Sequence, residues 1–359
     1  MKGNLINKKG TVSFLSSLLA IIAGLLVGLV ILFITEPSQA LAGFGTILAG
    51  GFMDGAKGVG ETLYFATPII MTGLSVGFAY RAGLFNIGAS GQFMVGAYVA
   101  ILVGVKCTFL PPALHWVAAV LLAALAGGVW GAVPGLLKAY RNVNEVITCI
   151  MMNYIGMYSV NAMIQATVYN QAKNQSMAVA KTANLPNGGL SKLFGTKNIN
   201  IGIFIALLAV VIIYIVLNKT KFGYELRACG LNRDASLYAG INARRTIVTV
   251  LVIGGLLSGC GGAMTYLSGT GKYMRVVDTL ANEGFTGISV AFLGTLNPIG
   301  ILFAGLFIAY ITVGGQNMQL YNYSPEIINI IIAVIIYFGA FALIFKELFR
   351  RLMDWRKRA

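Results

Sequence analysis

The chain has 359 residues, of which 57% are hydrophobic and only 10% are charged, and its formal net charge is +15. Soluble domains carry roughly 25% charged residues, so this composition excludes an ordinary soluble protein and indicates a polytopic membrane protein. The Lys and Arg residues lie in short segments between apolar runs. This arrangement favours a role in membrane topology over nucleic-acid binding.

The apolar runs predict an all-α integral membrane protein with about ten transmembrane helices, in a single transmembrane domain covering residues 1–359. The predicted spans are Phe14–Ile34, Thr62–Tyr80, Ala89–Val105, Leu114–Leu137, Glu145–Tyr169, Ile201–Leu217, Thr246–Leu267, Glu283–Leu296, Ile299–Gly315 and Ile327–Phe345. The first run, of about 21 residues, fits an uncleaved span better than a signal-peptide core. The eighth run is short for a full crossing, and it forms either a tight hairpin or a broken helix with the ninth.

The distribution of basic residues predicts the orientation of this layout. With both termini in the cytoplasm, 18 of the 26 Lys and Arg residues lie on the cytoplasmic side, as the positive-inside rule requires. Residues 219–245 then form a cytoplasmic loop and residues 170–200 an extracellular loop. Four lysines in the extracellular loop depart from the rule.

Small residues recur at helical spacing along several spans. This spacing predicts close helix–helix packing rather than a ligand site. The stripes are Gly24/Gly28, Gly127/Gly131/Gly135 and Gly255/Gly259.

Motifs for catalysis, metal binding and nucleotide binding are missing from the sequence. It contains no phosphate-binding loop, its four cysteines lack metal-ligand spacing, and His115 is its only histidine. The sequence therefore predicts neither an enzyme nor a cofactor or metal site. The centres of the spans also lack charged residues, which argues against an ion-coupled carrier.

Neutral polar residues do occur within the spans. They are Asn86, Ser90, Gln92, Thr148, Asn153, Asn161, Gln165 and Thr286. Each either contacts an uncharged polar solute or links helices by hydrogen bonds. Asn86 and Gln92 favour the first role, because they flank Gly88 and Gly91 in a segment, Gly83–Gly96, that has the pattern of an interrupted helix.

The predicted cytoplasmic loop contains the signals of a short helix from Arg233 to Ala239. Asn232 is a good N-cap, Asp234 complements the positive end of the helix dipole, and Gly240 is a good C′ residue. Two turns are not stable alone, so the helix must lean on the bundle or on a partner. The loop is either a basic, lipid-facing connection or the docking helix for a soluble subunit.

Four stretches of the chain resemble one family. Gly223–Asn232 with Ala239–Asn242 resembles the ATPase-coupling loop of ABC importer permeases. Gly83–Gln92 is similar to a signature of the permeases for branched-chain amino acids, simple sugars and nucleosides. A third resemblance is that of Asn144–Ile147 with Met152–Tyr154 to a segment of the nucleoside and simple-sugar branch. The set is completed by Gly284–Gly294 with Asn297–Gly300.

The resemblance implies a permease subunit of an ATP-driven ABC importer in the cytoplasmic membrane of a bacterium. Its partners would be cytoplasmic ATPase subunits, a second and related permease, and an extracellular solute-binding lipoprotein. The implied coupling residues are Glu225, Arg227, Arg233, Asp234, Leu237, Tyr238 and Gly240. The implied solute-path residues are Asn86, Gln92, Asn153 and Thr286. Purine nucleosides such as guanosine are the first substrate choice; the alternatives are a simple sugar such as ribose, or a stand-alone carrier or channel.

Overall fold

The computed structural model describes residues 9–340. Over this range the chain is mostly helical, and the described strands are limited to one short hairpin. In chain order the elements are α1 (Lys9–Thr35), α2 (Ala40–Ala49), α3 (Ala56–Arg81), α4 (Ala89–Lys106), α5 (Pro112–Arg141), α6 (Glu145–Thr167), β1 (Tyr169–Asn170), β2 (Gln175–Ser176), α7 (Leu190–Phe194), α8 (Gly202–Lys219), α9 (Lys221–Leu231), α10 (Arg233–Tyr238), α11 (Ala243–Tyr266), α12 (Asn282–Leu293), α13 (Pro298–Asn317) and α14 (Pro325–Ala340).

Eight of the described helices are long and apolar enough to cross a membrane, by length and composition. They are α1, α3, α4, α5, α6, α8, α11 and α13. The predicted all-α membrane fold is thus confirmed. The predicted end of the last span at Phe345, and most of the basic residues near the termini, lie outside the described residues.

The predicted span Glu283–Leu296 is too long. The helix there, α12, has 12 residues, which is about 18 Å at 1.5 Å per residue and too short to cross the hydrocarbon core. Thr295 and Leu296 follow it with positive φ angles of 54° and 59°. A Cβ added to Gly73 of α3 would lie 3.0 Å from both Val290 and Ile301. The chain therefore reverses between α12 and α13, and of the two predicted arrangements the tight hairpin is the one formed.

The helices fall into two compact units, and the first comprises residues 1–58 and 307–359. In its described part, α1 packs closely on α14. A Cβ on Gly24 would lie 2.9 Å from the Ile335 Cα atom, and one on Gly28 would lie 3.1 Å from Ile331. The predicted close packing at this first glycine stripe is confirmed.

The second unit comprises residues 59–306. The glycine stripes of α5 and α11 meet in it, since a Cβ on Gly127 would lie 2.8 Å from the Gly259 Cα atom. Gly96 brings α4 to the same point, because its Cβ would lie 2.6 Å from the Gly259 carbonyl oxygen. Such contacts exclude any side chain, so three backbones approach closely here, as the sequence predicts.

The segment predicted as a plain extracellular loop, residues 170–200, contains the β1–β2 hairpin and α7. Hydrogen bonds tie this segment to the helices of the second unit. The Glu61 carboxylate of α3 accepts hydrogen bonds from Thr196 and, at 2.8 Å, from the Asn198 amide. The His115 Nδ1 atom of α5 lies 2.9 Å from the Thr182 hydroxyl. The segment is therefore a folded cap over one end of the unit.

Candidate functional site

The connection between α3 and α4 is the non-helical part of the segment that the sequence predicts to be an interrupted helix. The break covers only residues 82–88, and α4 begins at Ala89. The Asn86 amide donates to the Ser75 hydroxyl at 3.1 Å. Ser75 precedes the end of α3 at Arg81 by six residues, about 9 Å along the helix axis. The connection therefore folds back alongside α3 before α4 starts.

Asn86 and Gln92 form a reciprocal amide pair at this connection. The Asn86 Nδ2 atom donates to Gln92 Oε1 at 3.0 Å, and Gln92 Nε2 donates to Asn86 Oδ1 at 3.1 Å. Both side chains are fully buried. The pair therefore links the first turn of α4 to the folded-back connection.

Asn153 of α6 bridges the same break from a neighbouring helix. Its Oδ1 atom accepts from the Gly91 N–H at 2.8 Å, and its Nδ2 atom donates to the Ile87 carbonyl at 3.0 Å. These are backbone groups that a helix break leaves without partners inside a membrane protein. Asn153 thus acts as a cap supplied from outside the broken segment.

Thr286, the fourth predicted solute-path residue, lies apart from these three on α12. Its side chain is half-buried, and it makes no hydrogen bond within the part of the chain that the structure describes. The structure thus brings together Asn86, Gln92 and Asn153, and it uses their amide groups for internal hydrogen bonds. Contact with a solute stays a prediction for all four residues.

The short helix predicted in the loop 219–245 is present as α10, which ends one residue before the predicted Ala239. Asn232 is its N-cap and accepts from the Ala235 N–H at 3.0 Å. Gly240 follows with a φ of 78°, the left-handed conformation that favours glycine after a helix. The local capping signals were therefore sufficient to locate this element.

Helix α9, which precedes α10, was missed by sequence reasoning. Thr220 caps it by accepting from the Gly223 N–H at 3.1 Å. The signal available in the sequence was Thr220 itself, because Thr is a preferred N-cap residue. The predicted loop is therefore a pair of helices, which we call the α9–α10 segment, residues 221–238.

The outer surface of the α9–α10 segment is apolar at several exposed positions. Leu231 is 90% exposed and Tyr238 is 96% exposed, and Leu237 is also exposed. An open groove of about 580 Å³ runs between the two helices. Its lining includes Tyr224, Glu225, Ala228, Leu231, Asn232, Ala235 and Gly240. Exposed leucine and tyrosine beside a groove are typical of a surface that binds another protein.

The charged residues predicted for coupling differ in their contacts. On α9 the Glu225 Oε1 atom lies 3.7 Å from the Lys221 Nζ atom. The Arg227 Nε atom donates to the Gly223 carbonyl at 3.2 Å. Arg233 donates to the Asn142 side chain at 3.4 Å, which links α10 to the end of α5. Asp234 is exposed in the first turn of α10.

The α9–α10 segment contacts the connection after α3 through glycine. A Cβ on Gly230 would lie 2.6 Å from the Arg81 carbonyl oxygen, and one on Gly83 would lie 3.1 Å from the Gly230 Cα atom. The Arg81 Nε atom also donates to the Leu296 carbonyl at 2.9 Å, in the α12–α13 turn. Backbone contact therefore joins α9 to the connection that holds Asn86.

Comparisons with known proteins are consistent with this arrangement. A family described as the branched-chain amino acid transport system permease component matches residues 58–340. The guanosine ABC transporter permease NupP of Bacillus subtilis is 40% identical over 90% of this chain and 92% of its own length. The nucleoside ABC transporter permease NupB of Lactococcus lactis is 35% identical over 90% and 89%. The glucose ABC transporter permease TsgB13 of Haloferax volcanii is 32% identical over 82% and 78%. No solved structure matches the chain.

Proposed function

Since this chain belongs to the family of branched-chain amino acid transport system permease components, we propose that it is the permease subunit of an ATP-driven ABC importer for nucleosides. It works in the cytoplasmic membrane of a bacterium, with both termini in the cytoplasm. Its role is translocation, and separate subunits hydrolyse the ATP. Residues 1–359 form one permease domain in this proposal.

The observation that carries the proposal is the geometry of the α9–α10 segment. Its apolar residues Leu231, Leu237 and Tyr238 are exposed, and its two helices are capped at Thr220 and Asn232. A short helix pair that exposes leucine and tyrosine on its surface supports docking of a soluble subunit. In this proposal Glu225, Arg227, Arg233, Asp234 and Gly240 position or contact that ATPase.

The contact at Gly230 supports a route by which ATPase movement reaches the transport path. A displacement of α9 presses on the Arg81–Gly83 turn, because no side chain separates the two backbones. That turn leads directly into the connection held by Asn86 and Gln92. Rearrangement of this connection is the event that we propose to be driven by ATP.

Purine nucleosides such as guanosine are the substrate that we propose. Two relatives named for guanosine and nucleoside transport cover about nine tenths of this chain. A neutral polar interior also suits an uncharged solute. The glucose permease relative supports a simple sugar, such as ribose or glucose, as the second candidate.

The proposed assembly contains two cytoplasmic ATPases, a second related permease and an extracellular solute-binding lipoprotein. Four exposed lysines on residues 170–200, Lys173, Lys181, Lys192 and Lys197, support an acidic extracellular partner. No acidic residue occurs in that segment. The segment is attached to α3 and α5 by its hydrogen bonds to Glu61 and His115, which would anchor such a docking surface.

Uptake by a deletion strain tests the substrate and the function together. Cells lacking this chain should lose uptake of labelled guanosine and should keep uptake of ribose and glucose. A plasmid copy of the chain should restore guanosine uptake. Unchanged guanosine uptake in the deletion strain would refute the proposal, and selective loss of sugar uptake would favour the second candidate.

A further inference from the structure

One exposed face of α6 carries the polar side chains of Tyr154, Tyr158 and Gln165. The exposed residues of this helix recur at helical spacing along one side. They are Ile147, Met151, Tyr154, Ile155, Tyr158, Ala162, Gln165 and Ala166. Asn153 and the other buried residues of α6 occupy the opposite side, against the bundle. We call the exposed stripe the α6 face.

The two tyrosines lie at the middle of the helix. Helix α6 covers Glu145–Thr167, so Tyr154 and Tyr158 are each two residues, about 3 Å, from its midpoint. Tyrosine in membrane proteins is enriched at the two interfaces, where its hydroxyl reaches water. These two are 48% and 55% exposed at mid-helix. Their hydroxyls make no hydrogen bond to any residue that the structure describes.

The exposed faces at the middle of α5 and of α8 have a different composition. At the middle of α5 the exposed residues are Leu121, Leu122, Leu125 and Val129, with exposed fractions of 45–69%. At the middle of α8 they are Leu208, Val211 and Ile212. Such aliphatic faces suit lipid. An unpaired hydroxyl in hydrocarbon costs free energy, so lipid is a poor neighbour for the α6 face.

We propose that the α6 face lines the transport path and that the nucleobase of the solute stacks on the rings of Tyr154 and Tyr158. The proposal rests on the proposed function and names the site at which it acts. The two rings are one turn apart, about 6 Å along the axis, on the same side of the helix. Aromatic rings stack on every nucleobase, and the hydroxyls face the water that accompanies a polar solute.

The turn of α6 that carries Tyr154 is also bonded to the connection between α3 and α4, which we propose to rearrange during transport. Asn153, on the buried side of the same turn as Tyr154, holds the Gly91 N–H and the Ile87 carbonyl of the folded-back connection. Movement of that connection therefore moves the turn that presents Tyr154. The buried amides position the path in this arrangement, and the tyrosines contact the solute.

Thiol labelling in cells that carry the complete transporter tests whether the α6 face is accessible to water. The background is Cys107→Ser, because Cys107 is the one half-buried cysteine and the other three are buried. Tyr154→Cys and Tyr158→Cys are compared with Leu125→Cys, whose residue is as exposed as Tyr158. A membrane-impermeant methanethiosulfonate should react at both tyrosine positions, and guanosine should slow the reaction several-fold. The control position should stay unreactive.

Kinetics of conservative variants then test the stacking. Tyr158→Leu should raise the KM for guanosine uptake about tenfold, because it removes the ring on which a base stacks. Tyr158→Phe keeps the ring and should stay within about threefold of wild type, since stacking needs only the π face. Equal KM values in wild type and Tyr158→Leu would overturn the proposal.

The outcomes separate this inference from the proposed function. If wild-type cells import guanosine but both tyrosine positions are as unreactive as position 125, lipid or a second permease covers the α6 face, and the inference alone is overturned. Reaction without protection by guanosine also overturns it. If wild-type cells import no nucleoside, the proposed function and the stacking inference fail together.

Discussion

Replacing Asn153 with alanine tests whether the buried amides hold the fold or the solute. The substitution leaves the Gly91 N–H and the Ile87 carbonyl without their partner in a site that is 1% exposed. An orphaned buried group costs about 1–3 kcal/mol in soluble proteins, and interhelical hydrogen bonds in membranes average about 0.6 kcal/mol. For two such groups we expect a loss of about 1–3 kcal/mol in the free energy of unfolding.

The assay pairs thermal melting of the detergent-solubilised protein with initial rates of guanosine uptake. A structural role predicts a lower melting temperature, a lower maximal rate in proportion to folded protein, and a KM within about twofold of wild type. The control is Asn218→Ala, because Asn218 is exposed and, among the described residues, its side chain bonds only to the Tyr214 carbonyl of its own helix. Wild-type melting together with a KM raised about tenfold would refute the structural role and favour solute contact.

The remaining predictions concern the α9–α10 segment. Gly230→Ala should impair both uptake and thermal stability, because its Cβ would lie 2.6 Å from a backbone oxygen that cannot move aside. Gly45→Ala, with open space around its Cβ, should behave as wild type in both measurements. Asp234→Ala should lower guanosine uptake, while the rate of ATP hydrolysis by the complex and the melting temperature should stay at their wild-type values. Gly240→Val forces a β-branched residue to a φ of 78°, at a local cost of about 1–2 kcal/mol. This variant should likewise hydrolyse ATP without importing guanosine. Normal transport by both of the last two variants would contradict a docking role.

Local signals in the sequence were enough to locate α10 and the long apolar helices. A cap needs only the residues around it, so Asn232 and Gly240 predict the two ends of α10 without any tertiary information. The glycine stripe of α1 likewise predicts close packing, although not that α14 is its partner. Apolar length predicts which segments cross the membrane.

The missed or wrong elements depend on contacts between distant residues. Helix α9 contains Gly223 and Gly230, which lower helix propensity, and its backbone contact with Arg81 comes from the folded chain. The length of α12 is limited by the reversal at Thr295 and Leu296, where apolar residues continue in the sequence. Hydropathy therefore extended the predicted span beyond the helix.

The candidate site was predicted by residue type but not by arrangement. Asn86, Gln92 and Asn153 were all singled out as polar groups within spans, and they do lie together. Their hydrogen bonds join positions up to 66 residues apart in the chain, and a single sequence does not record such pairs. The exposed face at Tyr154 and Tyr158 was missed, because the sequence alone does not distinguish an exposed tyrosine in an apolar helix from a buried one.

Reconstitution of the complete transporter in liposomes tests the central claim, that this chain is a permease driven by a separate ATPase, most directly. Labelled guanosine should accumulate only when the liposomes contain this chain, its second permease and the ATPases, and only when ATP is supplied. Liposomes that contain this chain alone should take up no more guanosine than empty ones. Rapid equilibration of guanosine by this chain alone, without ATP, would contradict the account and identify a stand-alone carrier or channel.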